Sequence, residues 1–118
     1  SGGVLDPSTV QSSRDKMINP AVLIVVSQVK NSNPDVARED YAAIACAIQN
    51  IMLSLHAEGV GSKWSTGAVI RDERTYTHLG IDHASEEIVA FLWVGVPAKS
   101  PIKVVRKRTL GELVRYLP

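Results

Sequence analysis

The sequence predicts an α/β fold on three observations. Two apolar runs, Pro20–Ser27 and Ile88–Val96, are continuous rather than alternating, as in strands covered on both faces. Between them lies a helix-length segment, Arg38 to Glu58, whose apolar residues surround nearly the whole circumference instead of forming one stripe. Neither the strands nor the helix can hide that much apolar surface within 118 residues, so the fold is predicted to be incomplete on its own. Strand, helix and strand in this order suggest a βαβ-type unit.

The elements follow in order. Residues 1–19 are polar and read as a loop or linker, with at most a helical turn near Ser12 to Met17. Residues 20–97 form the α/β core. It opens with the β-branched run Pro20-Ala21-Val22-Leu23-Ile24-Val25-Val26-Ser27. Lys30 to Pro34 is a turn-forming stretch. The helix from Arg38 has Glu39 and Asp40 in its first turn, at the positive end of its dipole, and Gly59 and Gly61 after its end. Lys63 to Gly67 is short and extended or looped, Arg71 to Leu79 suits a short helix, and Gly80-Ile81-Asp82 is the turn after it. Residues 98–118 form a basic C-terminal arm, in which Leu110 to Tyr116 suits a short helix or an extended segment.

Composition narrows the function classes. The hydrophobic fraction of 45% and charged fraction of 21% describe a folded domain, which at this length buries about two thirds of its unfolded surface. A net charge of +1 gives no reason to expect nucleic acid or an anionic membrane as the main partner. No apolar stretch approaches the about 20 residues of a membrane span. Ser1-Gly2-Gly3 has neither a basic nor an apolar signal region and looks more like a processed or appended end than a natural start. Cys46 is the one cysteine, so no disulfide forms within the chain, which fits a reducing, cytoplasmic location.

Several pieces then occur in a telling order. Asn19-Pro20 leads into an apolar strand. The helix carries Ala47, Asn50, Leu53, His56, Gly59 and Gly61 in the spacing Ala-x-x-Asn-x-x-Leu-x-x-His-x-x-Gly-x-Gly. Trp64-Ser65-Thr66-Gly67 follows. Glu86-Glu87 precedes the second apolar run, which ends in Val94-Gly95-Val96-Pro97, and Arg108-Thr109-Leu110-Gly111-Glu112-Leu113-Val114 lies in the tail. This ordered set resembles the C-terminal half of the nitroreductase family. The family's N-terminal half carries an Arg-Arg-Ser-x-Arg-like motif for the flavin phosphate, and these residues contain no such motif.

The resemblance implies an α+β nitroreductase-like fold, FMN as cofactor, NAD(P)H as electron donor and a small nitro, quinone or related compound as acceptor. The cofactor would carry the hydride chemistry, so no catalytic side chain and no metal are expected. The helix Tyr41 to Ala57, apolar all round with one face unpartnered in so short a chain, predicts a homodimer or larger assembly with this helix in an obligate interface of more than about 2,000 Å². The alternative is a truncated, non-catalytic nitroreductase-like subunit serving binding or assembly.

The resemblance places Trp64, Ser65, Thr66 and Gly67 at the edge of the flavin ring, where hydroxyls and backbone groups would meet its donors and acceptors. A turn with an interfacial tryptophan is the plainer reading. Among Arg106, Lys107 and Arg108 it implies one phosphate contact, and a solvated basic arm accounts for them as well. The helix end Ser54 to Gly59 lies near the nicotinamide nucleotide in some relatives, but His56 is better explained by its place at the helix terminus. Cys46 reads as a small core residue. His83 with Asp82, Glu86 and Glu87 could be drawn as a metal cluster, and a solvated helix start explains them better.

Overall fold

The computed structural model describes residues 6–100, 102 and 104–117. A helix, α1 (Pro7–Ile18), precedes the first strand, β1 (Val22–Val29). The long helix α2 (Pro34–Ala57) follows, then the short strand β2 (Gly61–Ser65), a 3₁₀ turn (Ala68–Arg71) and helix α3 (Glu73–Leu79). The last strand, β3 (Glu86–Gly95), ends the core, and among the described residues of the arm the one regular element is a 3₁₀ turn, Leu110–Glu112.

Among the described residues the sheet has three strands in the order β1-β3-β2, and both neighbours run antiparallel to β3. β1 and β2 are therefore parallel to each other, with β3 between them. The predicted crossover exists, but α2 joins β1 to β2, not to the long apolar strand. The expectation of a βαβ unit made from the two apolar runs is corrected on this point. β2 was hard to anticipate as a partner because Gly61-Ser62-Lys63-Trp64-Ser65 has little strand propensity.

The two apolar runs also differ in burial. β3 is buried along most of its length, as expected of a central strand. β1 is mostly half-buried, because it lies at a sheet edge in this chain. The core divides across the sheet. On the α2 side, Ile48, Val89, Ala90, Leu92 and Val94 pack with Ile24, Val26, Ile44, Met52, Leu55 and Trp64. On the opposite side, Ile70, Tyr76, Ile88 and Phe91 pack with Met17, Leu23, Val25 and Trp93. Simple alternation along β3 would place Ile88 with Ala90. The register instead jumps, with Val26 opposite Ala90 but Ser27 opposite Ile88. Val89 is the extra residue of a β-bulge, and it reverses the facing of every residue before it.

Residues 7–18 are helical, not a loop. Asp6 caps α1 by accepting the Thr9 amide at 3.2 Å, and Pro7 takes the first helical position, where its missing N–H costs nothing. α2 also begins earlier than Arg38. Asn33 is its cap, accepting the Asp35 amide at 2.9 Å, Pro34 opens it, and Asp35 is the acid of its first turn. The buried Gln28 ties the helix to β1, its Nε2 donating to Ala37 O at 2.7 Å.

Within this chain α2 is not surrounded by core. Ile44, Ile48, Met52 and Leu55 face the sheet, and Ile48 alone is fully covered. Ala43, Cys46, Ala47, Asn50, Leu53 and Ala57 are exposed. Cys46 is thus a surface thiol here, contrary to the core placement expected from its apolar neighbours. The radius of gyration, 18.1 Å, exceeds the about 13.5 Å of a compact domain this long. Much apolar surface of the core and arm is thus uncovered by the chain itself.

Candidate functional site

β2 carries the Trp64–Gly67 segment along the edge of the sheet, beside the central strand β3. Trp64 lies opposite Leu92 and its indole packs into the α2-side core. Ser65, opposite Phe91, is half-buried on the other side of the sheet. Thr66 and Gly67 follow the last paired residue, where the chain turns away from β3. Thr66 is exposed, and open space surrounds the position a Cβ would take on Gly67. The four predicted residues are therefore contiguous but unlike. Trp64 supports the strand from behind, while Thr66 and Gly67 present hydroxyl and backbone to the surface.

Thr66 lines a cleft together with Tyr41 of α2, Arg71, Tyr76 and His83. Glu87 and Ile88 of β3 complete its wall. Tyr76 is almost fully buried, and its Oη accepts the backbone N–H of Ile88 at 2.8 Å. The His83 ring stacks on the Tyr76 ring with centroids 4.1 Å apart and 28° between planes. The imidazole is thus held on a pedestal that is itself bonded to the central strand. The sequence reading missed Tyr41, Arg71, Tyr76, His83 and Glu87 as neighbours of Thr66. No local spacing links them, since they come from separate elements.

Of the carboxylates near His83, Asp82 and Glu86 are already engaged. Asp82 accepts the Ser85 hydroxyl at 2.7 Å and the Ala84 amide at 2.9 Å, and these bonds, the first above all, hold its carboxyl below the usual range. Glu86 accepts the Ser27 hydroxyl at 2.6 Å. The Lys30 ammonium donates to the His83 carbonyl, which pins the same corner to the end of β1. The segment is a turn leading into β3, not the start of a helix. No group of three or more metal-ligating side chains occurs among the described residues.

Arg106, Lys107 and Arg108 are exposed on the arm. No ion pair or side-chain hydrogen bond among the described residues ties them to β2. His56 is exposed in the last turn of α2 and lines a separate groove with Gln49, Leu53 and Gly61.

A flavin ring needs a polar edge, an apolar support and room for its plane. Thr66 offers a hydroxyl and Gly67 an unobstructed backbone. The Nε1–H of Trp64, buried on the α2 side of the strand, has no partner among the described residues. These features fit the ring. The arm's three cations have the right chemistry for a phosphate, but this chain does not bring them to the same place.

Residues 6–96 match the Nitroreductase family, a span that includes α1 and ends after β3. The protein YfhC of Bacillus subtilis (strain 168), named as an NAD(P)H nitroreductase, is 31% identical over 90 residues, covering 76% of this chain and 44% of YfhC. A nitroreductase-like family protein from Bacillus cereus superposes with a TM-score of 0.77 at 22% identity, covering 95% of this chain and 62% of its own. A nitroreductase by name from Desulfovibrio desulfuricans, solved in complex with FMN, gives a TM-score of 0.66 at 26% identity, covering 84% of this chain and 56% of its own. The chain thus spans less than half of the curated relative and about three fifths of each solved structure.

Proposed function

The chain belongs to the nitroreductase family, and on that premise we infer that it supplies the C-terminal part of an FMN-dependent NAD(P)H oxidoreductase acting on small nitro, quinone or related acceptors. The observation that carries this reading is the position of Thr66 and Gly67. The family match is continuous through them, and they stand open beside a mixed polar and aromatic cleft. The names of YfhC and of the FMN-bound relative support the donor and the cofactor.

In this reading FMN, when bound, supplies hydride transfer between donor and acceptor. This chain's own residues bind and orient. Thr66 and the backbone at Gly67 contact the ring edge, and Trp64 stiffens the strand behind them. One of Arg106, Lys107 and Arg108 neutralises the phosphate, and it reaches that group only when the arm closes over the core or over a second copy. A homodimer would cover the outward face of α2, where Ala43, Cys46, Ala47 and Ala57 allow close helix approach. No helix among the described residues is long and apolar enough to cross a membrane. A cytoplasmic setting suits the single thiol.

The test is flavin retention. The protein is mixed with excess FMN, passed through a desalting column and examined for flavin absorbance and quenched fluorescence. NAD(P)H oxidation is then followed with a quinone. Bound flavin and turnover support the reading. A flavin-free protein would instead favour the non-catalytic binding or assembly module.

A further inference from the structure

β2 pairs with β3 only as far as Ser65 opposite Phe91, whereas β1 follows β3 down to Glu86. From Glu87 to Ala90, β3 therefore has a strand on one edge only. The bulge at Val89 lies in this stretch. Tyr76 Oη stands where a strand carbonyl would be, taking the Ile88 N–H at 2.8 Å. The space left by the missing strand is the cleft lined by Tyr41, Thr66, Arg71, His83 and Glu87.

Its chemistry is specific. The Arg71 guanidinium forms no ion pair among the described residues; the salt bridge found there joins Arg74 to Asp72 instead. A guanidinium presents parallel N–H groups that match a carboxylate in two hydrogen bonds. The Tyr41 ring and the His83–Tyr76 stack offer aromatic surface for a planar ligand. Glu87 shares the cleft and opposes a second negative charge.

We propose that this cleft selects the acceptor, taking monoanionic aromatic carboxylates whose carboxylate meets Arg71 and whose opposite end lies toward Thr66. The assignment rests on the proposed place of Thr66 at the flavin edge, which would put the far end of such a ligand within reach of reduction. Arg71 is a specificity residue in this scheme and takes no part in the chemistry.

The probes are para-nitrobenzoate and the neutral nitrobenzene, titrated into the protein with and without FMN by ligand-observed NMR. The parent protein binds nitrobenzoate at least about tenfold more tightly, the scale of a charge-assisted hydrogen bond. Arg71→Gln removes the preference, and Arg71→Lys keeps part of it. Both variants retain the parent's circular dichroism and FMN binding. Equal affinity for the two probes in FMN-loaded parent protein overturns the cleft assignment and leaves the flavin reading standing. So does a preference that survives Arg71→Gln. Loss of FMN on Arg71→Gln also overturns it, by placing the guanidinium on the cofactor. A preference in a protein that never binds FMN removes the flavin reading and the acceptor role together, leaving only a carboxylate-binding cleft.

Discussion

The hydroxyl of Tyr76 accepts the backbone N–H of Ile88 at 2.8 Å, a side chain standing in for a strand. The bond closes the one stretch of β3 that β2 does not reach, and both residues are buried. An amide left without a partner there would bear its full desolvation penalty.

Tyr76→Phe keeps the ring, and so the stack with His83, while deleting the acceptor. The expected cost is about 1–3 kcal/mol in denaturant unfolding, with an unchanged slope. Stability equal to the parent would mean that water reaches the Ile88 amide and that the edge is not sealed.

Asp72 gives a pH prediction. Its carboxylate caps α3, accepting Arg74 Nη2 at 2.7 Å and both Arg74 Nε and the Arg74 amide at 2.9 Å. The Arg74 side-chain bonds, then the amide bond, lower its pKa from 3.8 to about 2. A depressed folded-state pKa adds stability above the unfolded value, and that stability disappears as pH falls through the folded one. Thermal midpoints should therefore show a loss between pH 4 and about 2 that Asp72→Asn lacks. Asparagine still caps the helix, so the two proteins should converge at the acid end. A parallel decline in both would exclude Asp72 as the source.

Two glycines should respond oppositely to alanine. Gly80 ends α3 with φ at +68°, and nothing lies within 4 Å of an added Cβ. Gly80→Ala should cost about 1 kcal/mol through backbone strain alone. Gly67 is fully extended, with φ at 167°, and is equally unobstructed. Gly67→Ala should leave the melting temperature within a few degrees of the parent and weaken FMN. An unstable Gly67→Ala protein, or one with undiminished FMN affinity, would remove Gly67 from the proposed site.

Cys46 reports on assembly. Its thiol is exposed on the outward face of α2. If two copies join through that face, labelling by a thiol reagent should slow as protein concentration rises, in step with the dimer fraction from light scattering. Concentration-independent labelling of a proven dimer would place the interface elsewhere. Cys46→Ala should change the stability of an isolated chain by no more than about 0.5 kcal/mol, as befits a surface site.

The sequence reading succeeded where one segment's own pattern decides the structure. β3 is buried on both faces and reads that way, and the body of α2 declares itself through length and alanine content. It failed where the deciding partner lies elsewhere in the chain. β1 is as apolar as β3 but sits at an edge, and a continuous β-branched run cannot distinguish the two. α1 is polar enough to pass for a linker, although Asp6-Pro7 is a legible helix start. Trp64 to Gly67 could be singled out by resemblance. Their separation into a core indole and an open Thr66–Gly67 corner depends on where β2 stops pairing. The cleft around Arg71 and His83 was illegible because the bulge at Val89 and the short β2 create it jointly.

The order of strands bears on how the protein is made. β1 and β2 each pair with β3 and not with each other. During synthesis both leave the ribosome before it, and the Ser27–Glu86 contact closes a loop of 59 residues. Local helices can form early, but the sheet has to wait for its last strand, with the entropic delay that such distant pairing imposes. Until residue 95 is available, the apolar β1 and the short β2 lack their shared partner and stand open to other chains. A nascent chain stalled before β3 should therefore aggregate or engage a chaperone, and releasing those ten residues should convert it in one cooperative step.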